Sequence, residues 1–97
     1  MAALIEWLVE RVERESEDIV DVDHYDTYAR AKAAAGDDDG AGDEFYRVGL
    51  VRTTEAGDRS WAYMEGGALP ECFTDAYCND TVKVPARYHA EVAREVA

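Results

Sequence analysis

The chain has 97 residues and a mass of 10.8 kDa, which is enough for one small domain and too little for two. It carries 22 Asp and Glu residues against 10 Lys and Arg residues, a formal net charge of −12. Because such a charge repels polyanions, we expect neither nucleic acid nor an anionic membrane surface among its partners. No apolar run approaches the roughly 18 to 20 residues that span a bilayer, so we expect no membrane span.

The composition indicates the ionic conditions in which the protein works. Arginine outnumbers lysine eight to two, alanine and valine fill most apolar positions, and leucine and isoleucine are few. In these respects the whole chain resembles haloarchaeal cytoplasmic proteins, which work in molar potassium chloride. The resemblance is one of composition only and brings no functional residue with it. It implies a cytoplasmic location, and Glu6 and Glu10 in the first apolar segment argue against a signal peptide. A mesophilic acidic protein is the alternative.

The first half of the chain predicts helices. Residues 2–15 show a helical apolar period, with Leu4, Leu8 and Val9 on one side of the wheel and Trp7 at its margin. The next residues, 19–22, fit either a short strand or a further helical turn.

A second helix is predicted after this segment. Asp23 with Asp26 three residues later resembles a capping box, which predicts the start of the helix. Gly36 is suited to end it.

The second half predicts a small sheet and a last helix. Residues 45–53 and 59–64 predict two strands, and turn residues at 55–58 make them a hairpin. Residues 81–84 predict a short third strand. Pro85 and the apolar spacing after it predict a C-terminal helix.

These elements predict a single α+β domain over residues 1–97. Its fold class would combine N-terminal helices, a central antiparallel hairpin or small three-stranded sheet, and a C-terminal helix.

Three consecutive acids, Asp37 to Asp39, open a segment (37–43) that predicts a loop. An EF-hand requires a bidentate Glu at its twelfth position, where the two glycine registers place Val48 or Tyr46. We therefore expect a solvated acidic loop without a bound calcium ion.

The densest set of metal-ligand residue types comprises Asp21, Asp23, His24 and Asp26. Divalent metals accept such mixtures, and in a hydrolase His24 would be a general base or ligand while Asp23 and Asp26 supplied carboxylates. Acids at a helix N-terminus are also stabilised by the helix dipole without a metal. We expect no catalytic residue, no metal and no cofactor here.

Cys72 and Cys78 are separated by five residues, whereas structural zinc pairs have two to four and redox pairs have two. A four-ligand site that also used His24 and His89 is an alternative that the spacing does not favour. We expect two reduced thiols, and the sequence does not show whether they lie close together.

Two classes of function remain. The distributed aromatic and amphipathic features favour a non-catalytic interaction or oligomerising protein of a high-salt cytoplasm. The alternative is a small metal-assisted hydrolase that uses the Asp21–Asp26 cluster. Because the apolar arc of the predicted N-terminal helix is wider than one core requires, we expect a homodimer. Its predicted interface residues are Trp7, Leu4, Leu8 and Val9, and a different protein partner is the other candidate.

Overall fold

An antiparallel sheet of six strands dominates the structure, a computed structural model that describes residues 3–36 and 42–96. The elements in chain order are β1 (Leu4–Glu13), β2 (Ile19–Tyr25), α1 (Tyr28–Ala35), β3 (Glu44–Thr53), β4 (Arg59–Tyr63), β5 (Cys72–Asp75), β6 (Asp80–Lys83) and α2 (Ala86–Val96). The strands lie in the order β2-β1-β3-β4-β5-β6, and each neighbouring pair is antiparallel.

The predicted fold class is wrong, because the sheet has six strands and the chain begins with a strand where helices were expected. Residues 2–15 caused the error. Strand β1 lies inside the sheet and is buried on both faces, which hides the two-residue period of a strand. Leu4, Leu8 and Val12 recur every fourth residue, a spacing that fits one side of a helix and equally one face of a strand with acids in between.

The second predicted helix exists but starts later than expected. Residues 19–22, ambiguous in the sequence, belong to β2, and Asp23 lies inside that strand. The N-cap of α1 is Thr27, whose Oγ1 accepts a hydrogen bond from the N–H of Arg30 at 3.2 Å. The β-branched residues of β2 favour the extended chain and outweigh the capping pattern at Asp23.

The second half of the chain matches the predicted elements more closely. The expected hairpin is β3 and β4, the expected third strand is β6, and the C-terminal helix is α2. Strand β5 lies within residues 68–80, where four strand residues were too few to produce a period. Residues 37–41 of the predicted acidic loop lie outside the described residues.

Both helices pack on the same face of the sheet. Their side chains join those of the strands in one buried cluster: Trp7, Val9, Tyr28, Ala31, Leu50, Ala62, Leu69, Phe73, Val84 and Val92. Neither of the described helices is long and apolar enough to cross a membrane.

The carboxylate of Glu91 joins the three elements that meet at Trp7. Its Oε1 accepts a hydrogen bond from the indole N–H of Trp7 at 3.2 Å, and its Oε2 accepts one from the backbone N–H of Tyr28 at 2.6 Å. Tyr28 is the first residue of α1, so the negative charge lies at the positive end of that helix. The rings of Tyr28 and Tyr88 pack against Trp7, with centroid separations of 4.9 and 6.0 Å.

We predict that Glu91→Ala lowers the free energy of unfolding by about 3 kcal/mol, because it leaves two buried N–H groups without their charged acceptor. Denaturant unfolding followed by near-UV circular dichroism of Trp7 measures this. Glu95→Ala, on the exposed side of the same helix, is the matched control and should change stability by less than about 0.5 kcal/mol. Equal effects of the two substitutions would contradict the role given to Glu91.

Candidate functional site

The second face of the sheet carries neither of the two described helices. Since cross-strand partners share a face and side chains alternate along a strand, the register assigns this surface, which we call the helix-free face. Its positions on the four best-paired strands are Ile19, Val22 and His24 (β2, with Val20 as the extra residue of a bulge beside Ile19); Leu4, Glu6, Leu8, Glu10 and Val12 (β1); Phe45, Arg47, Gly49, Val51 and Thr53 (β3); and Arg59, Trp61 and Tyr63 (β4).

A buried carboxylate lies at the centre of this face. The side chain of Glu10 is 5% exposed. Nε and Nη2 of Arg47 both donate to its Oε1, at 2.9 and 2.7 Å, and the hydroxyl of Tyr63 donates to its Oε2 at 3.2 Å. The guanidinium of Arg47 also lies 4.2 Å from the centroid of the Tyr63 ring. Each oxygen of the buried acid therefore has a partner, as a buried charge requires.

Gly49 makes room for this cluster. Tyr63 is on β4 and Glu10 on β1, so the phenol must cross β3 to reach the carboxylate. A Cβ at Gly49 would lie 3.1 Å from Cδ1 of Tyr63 and 2.6 Å from the carbonyl oxygen of Ala62. Only glycine leaves this path open. Leu8, the partner of Gly49 on β1, is 1% exposed.

Towards β2 the same face becomes apolar and exposed. Leu4 is 60% exposed, Val20 47% and Val22 42%, and Ile19 at the start of β2 is 48% exposed. Apolar side chains scattered singly over a surface are common, but Ile19, Val20 and Val22 are close together on β2, whereas Leu4 lies at the opposite end of β1. The three residues of β2 form an exposed apolar patch.

The charge of this face differs from that of the whole chain. Among the positions assigned to it, Glu6 and Glu10 are acidic and Arg47 and Arg59 are basic, so their formal net charge is zero. The complete chain has a net charge of −12. The excess carboxylates therefore lie elsewhere, including Asp21 and Asp23 on the opposite side of β2.

The outer edge of β2 is less suited to pairing than its face. The backbone N–H of Val22 donates to Oδ1 of the neighbouring Asp21 at 3.0 Å. A side chain that occupies an edge donor and adds negative charge disfavours the addition of another strand. This edge is therefore poorly suited to the addition of a further strand.

Strand alternation separates the residues of the predicted Asp21–Asp26 cluster. Asp21 and Asp23 are on the helix-covered side, whereas His24 is on the helix-free face with its Nδ1 3.6 Å from Oε1 of Glu6. Asp26 follows the strand and pairs with Arg30 at 3.5 Å. Within residues 3–36 and 42–96 no three His, Cys, Asp or Glu side chains are grouped so that they could hold a metal ion.

The predicted interface residues also lie in different environments. Trp7, Leu8 and Val9 are 1%, 1% and 6% exposed inside the chain's own fold, so their side chains are not surface groups. Leu4 is exposed on the helix-free face, at the opposite end of β1 from the apolar patch of β2. The helix on which the four residues were expected to lie is strand β1.

The two thiols differ in exposure. Cys72 is half-buried on β5, Cys78 is exposed in the turn after it, and both are free.

Sequence analysis missed Arg47, Gly49 and Tyr63. The alternation of Phe45, Arg47, Gly49 and Val51 indicates that these residues share one face of a strand. Glu10, which pairs with Arg47, is 37 residues away in a segment whose apolar period predicts a helix.

Comparison with protein-family models, with curated proteins and with solved structures found no match.

The contacts of Tyr63 with Glu10 and Arg47 predict how the stability of the fold depends on pH. Burial, and then the negative charge of Glu10, raise the pKa of Tyr63 from 10.0 to about 12. The folded state thus favours the neutral phenol, so its contribution to stability is complete below pH 10 and is lost as the pH rises from 10 to 12. Absorbance titration should show a late tyrosine ionisation, and Tyr63→Phe should remove that step. Tyr77→Phe, at a residue that is 85% exposed, is the control and should leave the late step in place; its loss there would contradict the assignment.

Proposed function

We propose that this protein is a non-catalytic interaction protein of a high-salt cytoplasm, and that it forms a homodimer through its helix-free face. The observation that carries the proposal is the combination of a neutral, partly apolar face with a chain of net charge −12. Two copies of a strongly acidic chain repel each other, and this repulsion is weakest when their neutral helix-free faces are in contact. A symmetric dimer brings the same patch of both copies together.

The dimensions of the face support a second copy as the occupant. Strands β1 and β3 have ten residues each, or about 33 Å at about 3.3 Å per residue. Four neighbouring strands at about 4.8 Å spacing are about 19 Å wide. Because β2 and β4 have only seven and five residues, the helix-free face covers roughly 500 Å² per copy, and two copies together bury roughly 1,000 Å², the lower limit for a specific interface.

The high-salt environment is supported by composition and by the position of the charges. Solvent-exposed carboxylates such as Asp21 and Asp23 repel one another in dilute buffer, while at about 1 M salt the Debye length is roughly 3 Å. Excluded salts also strengthen the burial of exposed apolar groups such as Leu4 and Val22. Both effects favour the folded dimer in molar potassium chloride.

The dimer is tested by Val22→Lys, which places a charge on the proposed interface and should raise the dimer dissociation constant by at least about 100-fold. Sedimentation equilibrium in molar potassium chloride should give about twice the monomer mass of 10.8 kDa for the unaltered chain and the monomer mass for the variant. Val82→Lys is the matched control, because Val82 is also 42% exposed but lies on β6 at the far edge of the sheet. Monomeric unaltered protein, or equal effects of the two substitutions, would refute the proposal.

The salt requirement is tested separately. As potassium chloride rises from millimolar to molar, the melting temperature should increase, since carboxylate repulsion at low ionic strength costs several kcal/mol of the roughly 5–15 kcal/mol that stabilises a domain. Measuring the Val22→Lys variant in parallel separates folding from dimerisation, because the monomer should show the same trend. A melting temperature independent of salt would exclude the high-salt environment.

A further inference from the structure

A groove lies on the helix-free face at the edge opposite the apolar patch of β2. It has a volume of about 470 Å³ and follows β4 and β5, and we call it the β4–β5 groove. Trp61 of β4 and its partner Thr74 of β5 share this face, and Tyr63 is two residues further along β4. Arg47, from the same face of β3, also lines the groove. These four side chains therefore come from one side of the sheet.

The register places the apolar patch and the groove at the same level along the strands. Val22 pairs with Glu10, and Glu10 pairs with Arg47, so Val22 and Arg47 belong to one row across the sheet. The next row runs in the same way from His24 to Tyr63. The patch and the groove thus lie at opposite edges of the face but at matching positions along its length.

The area of the face restricts how two copies can pack on each other. A symmetric dimer of this kind has a two-fold axis in the plane of the interface. The patch lies at a corner of the face, because β2 is an edge strand and residues 19–22 form one end of it. An axis through that corner packs the patch on itself and leaves most of the face uncovered. Since the whole face only reaches the roughly 1,000 Å² that a specific interface needs, the axis must pass near its centre, between β1 and β3.

Two directions of such an axis keep the strands of the two sheets aligned. An axis across the strands places the patch beyond the other end of β2 in the second copy, next to Asp26, whose side chain is 71% exposed. An axis along the strands exchanges the two edges of the face and places the patch over the β4–β5 groove. Apolar side chains gain by burial against aromatic rings, whereas burial against an exposed carboxylate removes its water without replacing it.

The charge of the groove also favours an uncharged occupant. Glu65 and Asp75 line it, and Arg47, the basic residue among the described residues that line it, is neutralised by Glu10. The groove therefore repels the acidic segments of a second copy. The side chains of the apolar patch bring no charge to it.

We propose that the β4–β5 groove of each copy receives the apolar patch of the other copy, Ile19, Val20 and Val22. The two contacts are related by the two-fold axis and form together. This inference rests on the proposed dimer and specifies its arrangement: the copies pack sheet to sheet, with β2 of one over β4 and β5 of the other.

Cross-linking of thiols in molar potassium chloride tests this arrangement, because the groove has a thiol of its own. Cys78 is exposed and lines the groove. In Val22→Cys, a short bifunctional maleimide should join the introduced thiol to Cys78 of the other copy. The product should be a covalent dimer in which mass spectrometry finds the peptides around positions 22 and 78 linked. The unaltered chain should give no covalent dimer, since its two Cys78 thiols would lie at opposite edges of the interface.

Asp21→Cys is the matched control, because Asp21 is the preceding, exposed residue of the same strand and lies on the helix-covered side. It should give no covalent dimer, and adding Cys78→Ser to Val22→Cys should abolish the cross-link. A link between the two introduced thiols, or no link between positions 22 and 78 in protein that sediments as a dimer, would overturn the groove arrangement and leave the dimer itself standing. Sedimentation of the unaltered chain as a monomer would overturn both.

Discussion

The buried carboxylate of Glu10 is the constraint on which the rest of this sheet depends. An unpaired charge in such a position would cost several kcal/mol, so the fold must supply partners for both oxygens. Arg47 on β3 provides two donors and Tyr63 on β4 provides one. Because the phenol has to cross β3, the position between them must be Gly49. Four residues thereby fix the register of three strands, since a slip by one residue would turn each of them to the other face.

The same constraint shapes the electrostatics of the molecule. Glu10 is neutralised where it lies, and the helix-free face keeps no net charge although the chain as a whole is strongly acidic. The helix-covered side is fixed by a second carboxylate, Glu91, which binds β1 and α1 to α2. One face is thus completed within the chain, while the other exposes apolar side chains around Val20 and Val22. The fold therefore places the excess negative charge away from the face through which the proposed dimer forms.

The sequence predicts those parts of the fold whose pattern is local. The β3–β4 hairpin has alternating residues and turn chemistry, and α2 has a proline at its start and a clear helical period, so both were predicted. Strand β1 was not, because burial on both faces removes the alternation that distinguishes a strand. Strand β5 has only four residues and no pattern of its own.

The candidate site depends on contacts that no local pattern reveals. Glu10 lies 37 residues from Arg47 and 53 from Tyr63, and only the strand order brings them together. In contrast, Asp23 and His24 are adjacent in sequence, but alternation along β2 directs them to opposite faces. The Asp21–Asp26 residues are close in sequence and suggest a metal site, but the strand separates them. Glu10, Arg47 and Tyr63 are far apart in sequence, and only the sheet brings them together.

Methyl NMR with a soluble paramagnetic agent tests the central claim, that the helix-free face is a contact between two copies. The account predicts that, as protein concentration rises in molar potassium chloride, the methyl groups of Leu4, Val20 and Val22 become protected from broadening. Those of Val82, on the far edge, should stay accessible at all concentrations. Methyl groups of the helix-free face that remain as accessible as those of Val82 throughout would contradict the account.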